Sequence, residues 1–120
     1  MITRSIEVTT RFIGFHKWED APEEVSFLRN LHRHEFRVSV EIEITHDDRE
    51  LEFFIEQRYL KSLFEDEQNC NNKSCEMIGQ TVIDSFIERY GPNRSIKVNV
   101  SEDGENSANV VYIPQERVSK

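Results

Sequence analysis

The sequence predicts an α+β domain, an antiparallel four-stranded sheet with two helices packed on one face. Three observations predict it. Apolar and polar residues alternate over residues 3–15, 36–44 and 95–101, the period of a strand with one buried face. Between the second and third of these stretches, apolar residues recur at three-four spacing in two blocks, the mark of helices. Turn residues, His46-Asp47-Asp48-Arg49 and Asp103-Gly104, stand where strands would fold back as hairpins.

The chain has 120 residues, enough for one domain with a single core and no staples. Residues 1–113 are expected to form that domain and residues 114–120 a short polar tail. The net charge of −8 argues against tracking along nucleic acid, because phosphate contacts need clustered Lys and Arg. It leaves room for a small anionic ligand held by a few local arginines. Two cysteines, Cys70 and Cys75, are too few for a disulfide framework, and their spacing is not that of a common zinc knuckle. They read as reduced thiols of a cytoplasmic protein. Residues 1–8 carry charge and lack the apolar segment of a secretory signal, and no apolar run is long enough to span a bilayer.

Taken in order, Ile6, Val8, Thr10 and Phe12 share one face of the first strand. Its parity is expected to slip at Ile13-Gly14-Phe15, where a glycine permits a bulge, so that His16 is re-aimed. Residues 17–30 form a long acidic connection with a helical turn at most, and connections of this length are often functional. The second strand has every even position from Phe36 to Ile44 apolar. After the His46 turn, Glu50-Leu51-Glu52-Phe53 is expected to return as the other half of a hairpin. A first helix is predicted over residues 56–67, with Tyr59, Leu60, Leu63 and Phe64 on one stripe, followed by a polar loop to Lys73. The second helix is predicted to start at a Ser74 cap and end at Gly91-Pro92. Its stripe of Cys75, Ile78, Gly79, Val82, Ile83, Phe86, Ile87 and Tyr90 makes Cys75 a small core residue. Ile96, Val98 and Val100 point inward from the next strand, and residues 108–113 return from the Asp103-Gly104 turn.

Histidines carry the chemistry. His32 and His34 lie in phase with the apolar face of the second strand, so their side chains project together. His16 from the neighbouring strand completes a possible triad of nitrogens, the arrangement of an open zinc site. His-x-His alone is a weak signal, since unrelated strand histidines produce it too. Glu102 continues the apolar phase of Ile96, Val98 and Val100, an unusual place for a carboxylate. Candidates for acid–base work are Glu19, Asp20, Glu23 or Glu24 in the long connection, or His46 with Asp47 and Asp48, the latter weighed against a solvated turn.

These residues together resemble the 6-pyruvoyltetrahydropterin synthases and the 6-carboxytetrahydropterin synthases. The resemblance runs from about Phe12 to Tyr112. It is carried by Phe15-His16, by His32-Arg33-His34 where the family has His-Gly-His, and by Leu51-Glu52-Phe53 with Leu60-Lys61. Ser74-Cys75-Glu76-Met77-Ile78 looks like the family's Pro-Thr-x-Glu-Asn-Ile helix start, and the strand ending Val100-Ser101-Glu102 looks like its last hairpin. The resemblance implies a T-fold (tunnelling-fold) subunit that assembles into trimers or hexamers by closing sheets into a barrel. It implies zinc on His16, His32 and His34, and Glu102 as the anchor of a pterin or purine-like ring. From their own chemistry, Arg29, Arg33 and Arg49 are candidates to pair with phosphate.

Parts of the family pattern are absent. The family's cysteine precedes His-x-His, where this chain has Phe27-Leu28-Arg29-Asn30-Leu31. Its Asp-His pair follows the first helix, yet no histidine follows His46. The glycine between the histidines is Arg33. The expected function is therefore that of a divergent zinc-dependent, lyase-like protein acting on a small heterocycle. The alternatives are a binding module that sequesters or senses such a ligand, and an oligomer in which zinc only stabilises the fold.

Overall fold

The computed structural model describes residues 1–115; of the expected polar tail, residues 116–120 lie outside the described residues. The elements are β1 (Arg4–His16), β2 (His32–Ile44), α1 (Phe53–Ser62), β3 (Glu67–Asn71), α2 (Cys75–Tyr90), β4 (Ile96–Glu102) and β5 (Asn106–Tyr112). They build one five-stranded sheet in the order β3-β1-β2-β4-β5. Four of its strands, β1, β2, β4 and β5, pair antiparallel as the alternation predicts. The fifth, β3, adds at the edge and runs parallel to the end of β1, so the sheet is mixed and has one strand more than expected. β3 escapes the sequence pattern because it is short, polar and at an edge, and only Cys70 in it is buried.

Burial follows the period-two logic. Val8, Phe12, Phe36, Val38, Val40, Ile42, Ile96, Val98 and Val100 point to one side, where Leu60, Ile78, Val82, Ile83 and Phe86 from the helices meet them. α2 lies over β4 and β5, and α1 lies against β1. Ten or so fully buried aliphatic and aromatic side chains, each worth about 1.5–3 kcal/mol, hold this layer together. Between the helices, the buried carboxylate of Glu56 accepts from the Tyr90 hydroxyl and from Arg89 Nε at 3.4 Å. Tyr59 Oη donates to the Ser85 carbonyl at 3.1 Å, a second tie between the helices.

Three expectations need correction. The returning strand at Glu50 to Phe53 does not form. Both edges of β2 are already taken, by β1 on one side and β4 on the other, so no hydrogen-bonding edge is left for it. Instead, Glu52 caps α1 by accepting from the N–H groups of Phe54 and Ile55, so the helix starts at Phe53 and ends at Ser62. Glu50 turns back to accept from Thr45 and Arg94.

The parity of β1 does not slip. Register with β2 runs unbroken from Arg4↔Ile44 to His16↔His32, and the shift between Phe15 and His16 concerns only the partner on the other side, β3. Gly14 stays on the inner face, and the ring of Phe36 fills the space its side chain would take. A Cβ built there would lie 2.5 Å from that ring. The connection after β1 is also more ordered than a bare loop. It contains 3-10 turns over Glu23–Arg29 and is closed by Trp18 N–H to the Leu28 carbonyl at 2.8 Å. No helix among the described residues is long and apolar enough to cross a membrane.

Candidate functional site

The site grows from strand register. His16 and His32 face each other across β1 and β2, and His34 sits two residues further along the same face. Their rings meet edge to face, with centroids 4.5 Å apart for His16 and His32, 5.2 Å for His16 and His34, and 4.9 Å for His32 and His34. One ring nitrogen of each lies within 4.8 Å of the others. Phe36 forms the floor, 5.1 Å from His16 and 5.7 Å from His34. Glu102 lies in register with Phe36 on the next strand, which brings its carboxylate to the same place. Its Oε2 is 3.1 Å from His16 Nε2 and 3.7 Å from His34 Nε2.

The other ring nitrogens are all engaged. Nδ1 of His16 lies 2.8 Å from the Lys73 carbonyl oxygen, and Nδ1 of His32 lies 2.8 Å from that of Asn30. A carbonyl oxygen only accepts, so both Nδ1 atoms carry the proton and donate. Nδ1 of His34 lies 2.6 Å from Asp103 Oδ2. Asp103 is held below the usual carboxylate range by the Glu35 backbone N–H and then by His34, so it too accepts. In each neutral ring the lone pair is then left on Nε2.

The set can be tested for fit. Nε2 of His34 is buried with no hydrogen-bond partner among the described residues, and 3.7 Å to Glu102 is beyond hydrogen-bond range. Imidazole lone pairs and a carboxylate oxygen at these distances repel unless a proton or a cation lies between them. Outward donors on each Nδ1 are the outer contacts that metal-binding histidines use. His16, His32 and His34, with Glu102 beside them, could therefore hold a divalent cation.

A cavity of about 400 Å³ opens beside His16 and His32, within the size range of small-molecule sites. Trp18, Leu28 and Met77 give it apolar wall, and Lys73 and Glu102 give it charge of both signs. Cys75, expected only in the core, also reaches this wall. Burial, and then the charge of Glu102, push its thiol up to about 12, which disfavours the thiolate that a nucleophile needs. A larger groove of about 890 Å³, lined by Arg11, Arg37, Arg58 and Lys61, is an open charged surface without a histidine.

Other expected residues fall elsewhere. Arg33 lies between the two histidines and, by strand alternation, on the opposite face; it is exposed and does not line the cavity. Arg49 is exposed and pairs with Asp48 at 2.8 Å. His46, Asp47 and Asp48 follow the far end of β2, about 40 Å along the strand from His32. Three contributors had no sequence reading as site residues: Asp103, expected only as a turn residue, and the main-chain carbonyls of Lys73 and Asn30. An acid following directly after the in-phase Glu102 was the available signal for Asp103. No family model matches the chain, and no curated protein does.

Proposed function

We propose that this chain is a zinc-binding protein of the 6-pyruvoyltetrahydropterin synthase type, a T-fold subunit that acts on a pterin, a deazapurine precursor or a related nucleotide. His16, His32 and His34 hold the zinc. The observation that carries the reading is the orientation of these three rings: each Nδ1 donates to an outer acceptor, which leaves Nε2 with the lone pair, and one nitrogen of each ring lies within 4.8 Å of the others. Zinc bound there supplies Lewis acidity to a carbonyl or hydroxyl of the ligand.

The chain's own residues do the rest. Glu102 can accept two parallel hydrogen bonds from an amino group and a ring N–H. Trp18, Leu28 and Met77 offer apolar surface to a planar ring. Lys17 and Lys73 reach the cavity, whereas Arg33 and Arg49 do not, so any phosphate held within one subunit meets the lysines. Among the described residues β5 is a free sheet edge, and closure of sheets into a trimeric or hexameric barrel pairs that edge with a second copy.

A second reading, a module that sequesters or senses the ligand without turning it over, is favoured by one observation. Among the described residues lining the cavity, the only histidines are the proposed ligands, and the only carboxylates are Glu102 and the exposed Glu76 in the first turn of α2. Cys75 is held as a thiol, Glu102 is committed to the ring or the histidines, and His46 with its acidic neighbours is at the other end of the sheet.

Metal analysis of the purified chain tests the first step. Zinc is expected in the wild-type protein and lost in His32→Ala; unchanged zinc content in that variant refutes the site. Zinc-loaded protein incubated with dihydroneopterin triphosphate then separates the readings, with a new product supporting the enzyme and retention without product supporting the binder. A Glu102→Ala variant that retains the ring as well as wild type removes Glu102 from the anchoring role.

A further inference from the structure

We propose that Asp103 is a positioning residue whose carboxylate sets the tautomer and ring plane of His34, so that Nε2 of His34 presents a lone pair to the site. This inference rests on the zinc reading above. The three histidines secure their outer nitrogens in different ways. His16 and His32 donate to the carbonyls of Lys73 and Asn30, main-chain acceptors that no side-chain substitution removes. His34 alone depends on a side chain, Asp103 Oδ2 at 2.6 Å.

Asp103 is itself clamped to the strand that carries His34. Its Oδ1 accepts the Glu35 backbone N–H at 2.8 Å, and its own backbone N–H donates to the Glu35 carbonyl at 2.8 Å. Its φ is +57° and that of Gly104 is +73°, and Glu105 N–H closes the turn on the Glu102 carbonyl at 3.0 Å. Positive φ at both central positions is the hairpin turn that favours Asp, Asn or Gly. Of these three, only Asp has two acceptor oxygens.

That difference makes the role specific. Asn at 103 would satisfy the turn but has one acceptor and one donor group. With its oxygen on the Glu35 N–H, its NH2 would face His34 and require the lone pair on Nδ1, which moves the proton to Nε2. With the amide turned the other way, its NH2 would oppose the Glu35 N–H. The consequence falls on the atom that is buried without a hydrogen-bond partner among the described residues, Nε2 of His34. Loss of such an outer contact typically weakens metal binding about 10–100-fold.

The test compares wild type, Asp103→Asn and Asp103→Gly in two measurements on the full chain. Nitrogen NMR of the imidazoles in zinc-free protein reads the tautomer of His34. The expected result is the Nδ1–H form in wild type, the Nε2–H form in Asp103→Asn, and a mixture in Asp103→Gly, which keeps the turn backbone. Zinc affinity by chelator competition is expected to fall about 10–100-fold in both variants with circular dichroism unchanged. An unchanged tautomer in Asp103→Asn, or zinc affinity within about threefold of wild type in both variants, overturns the proposal. A wild-type chain that shows the tautomer dependence but takes up no zinc overturns the zinc reading and supports the positioning role of Asp103.

Discussion

Gly14→Ala is expected to destabilise the fold and weaken the histidine site together. Gly14 faces His34 across the strand pair and is covered by Phe36, so a Cβ there would lie 2.5 and 2.6 Å from two atoms of the Phe36 ring and 3.1 Å from Phe12. Ordinary carbon contact is about 3.5–4.0 Å, so one ring must move by about 1 Å. Phe36 has no free space to do so. It is fully buried, stacks on Phe12 at 5.3 Å, and touches the rings of His16 and His34. Overpacking of this kind costs about 1–3 kcal/mol.

The φ of Gly14 is not positive, so alanine meets no backbone strain there, and stiffening the unfolded chain returns about 0.4–1 kcal/mol. At the middle of both ranges the net loss is about 1.3 kcal/mol, which corresponds to a fall in Tm of roughly 4–8 °C for a domain of this size. Thermal unfolding followed by circular dichroism measures it, and zinc retained after dialysis against a weak chelator measures the second effect. Adding Phe36→Leu should recover part of the Tm loss caused by Gly14→Ala, because the smaller side chain frees the space. A Tm within about 1 °C of wild type with zinc retention unchanged, or no coupling between the two substitutions, would show that Phe36 does not transmit packing to the histidines.

Two further predictions concern stability alone. Thr45's backbone N–H, and then the Arg94 guanidinium, hold Glu50's carboxyl down to about 2 from its ordinary 4.5. Its folded value is the lower one, so its contribution is fully present above about pH 4.5 and is lost as pH falls toward 2. Acid titration of unfolding should show about 1–2 kcal/mol disappearing over that window, allowing for solvent screening, and Glu50→Gln should flatten it; an identical profile in the variant removes Glu50 from the account. Ser74→Ala deletes the acceptor for the Met77 N–H at the start of α2 and should cost about 0.5–2 kcal/mol in urea unfolding; a loss below that range means the cap is replaced by water.

Much of this molecule follows from the period of its own residues. Alternation alone places Val8, Phe36, Val98 and their neighbours on one face, because a strand side chain has only two directions to point. The same rule brings His32 and His34 into phase with the core, and three-four spacing with a Ser74 cap and a Gly91 stop delimits α2 at Cys75–Tyr90. Tertiary structure decided what local pattern cannot carry. The strand expected after His46 fails because β2 has no free edge, a fact about pairing and not about residues 50–53. β3 exists because the end of β1 offers an edge to a polar segment with no periodic signal of its own. Gly14 permits no slip of register; it makes room for a ring 22 positions later in the chain. The histidine triad likewise needs partners 57 and 69 positions away, the Lys73 carbonyl and Asp103, to orient it. Sequence spacing tells which residues share a face, whereas ring orientation depends on acceptors that only the folded chain brings within hydrogen-bond reach.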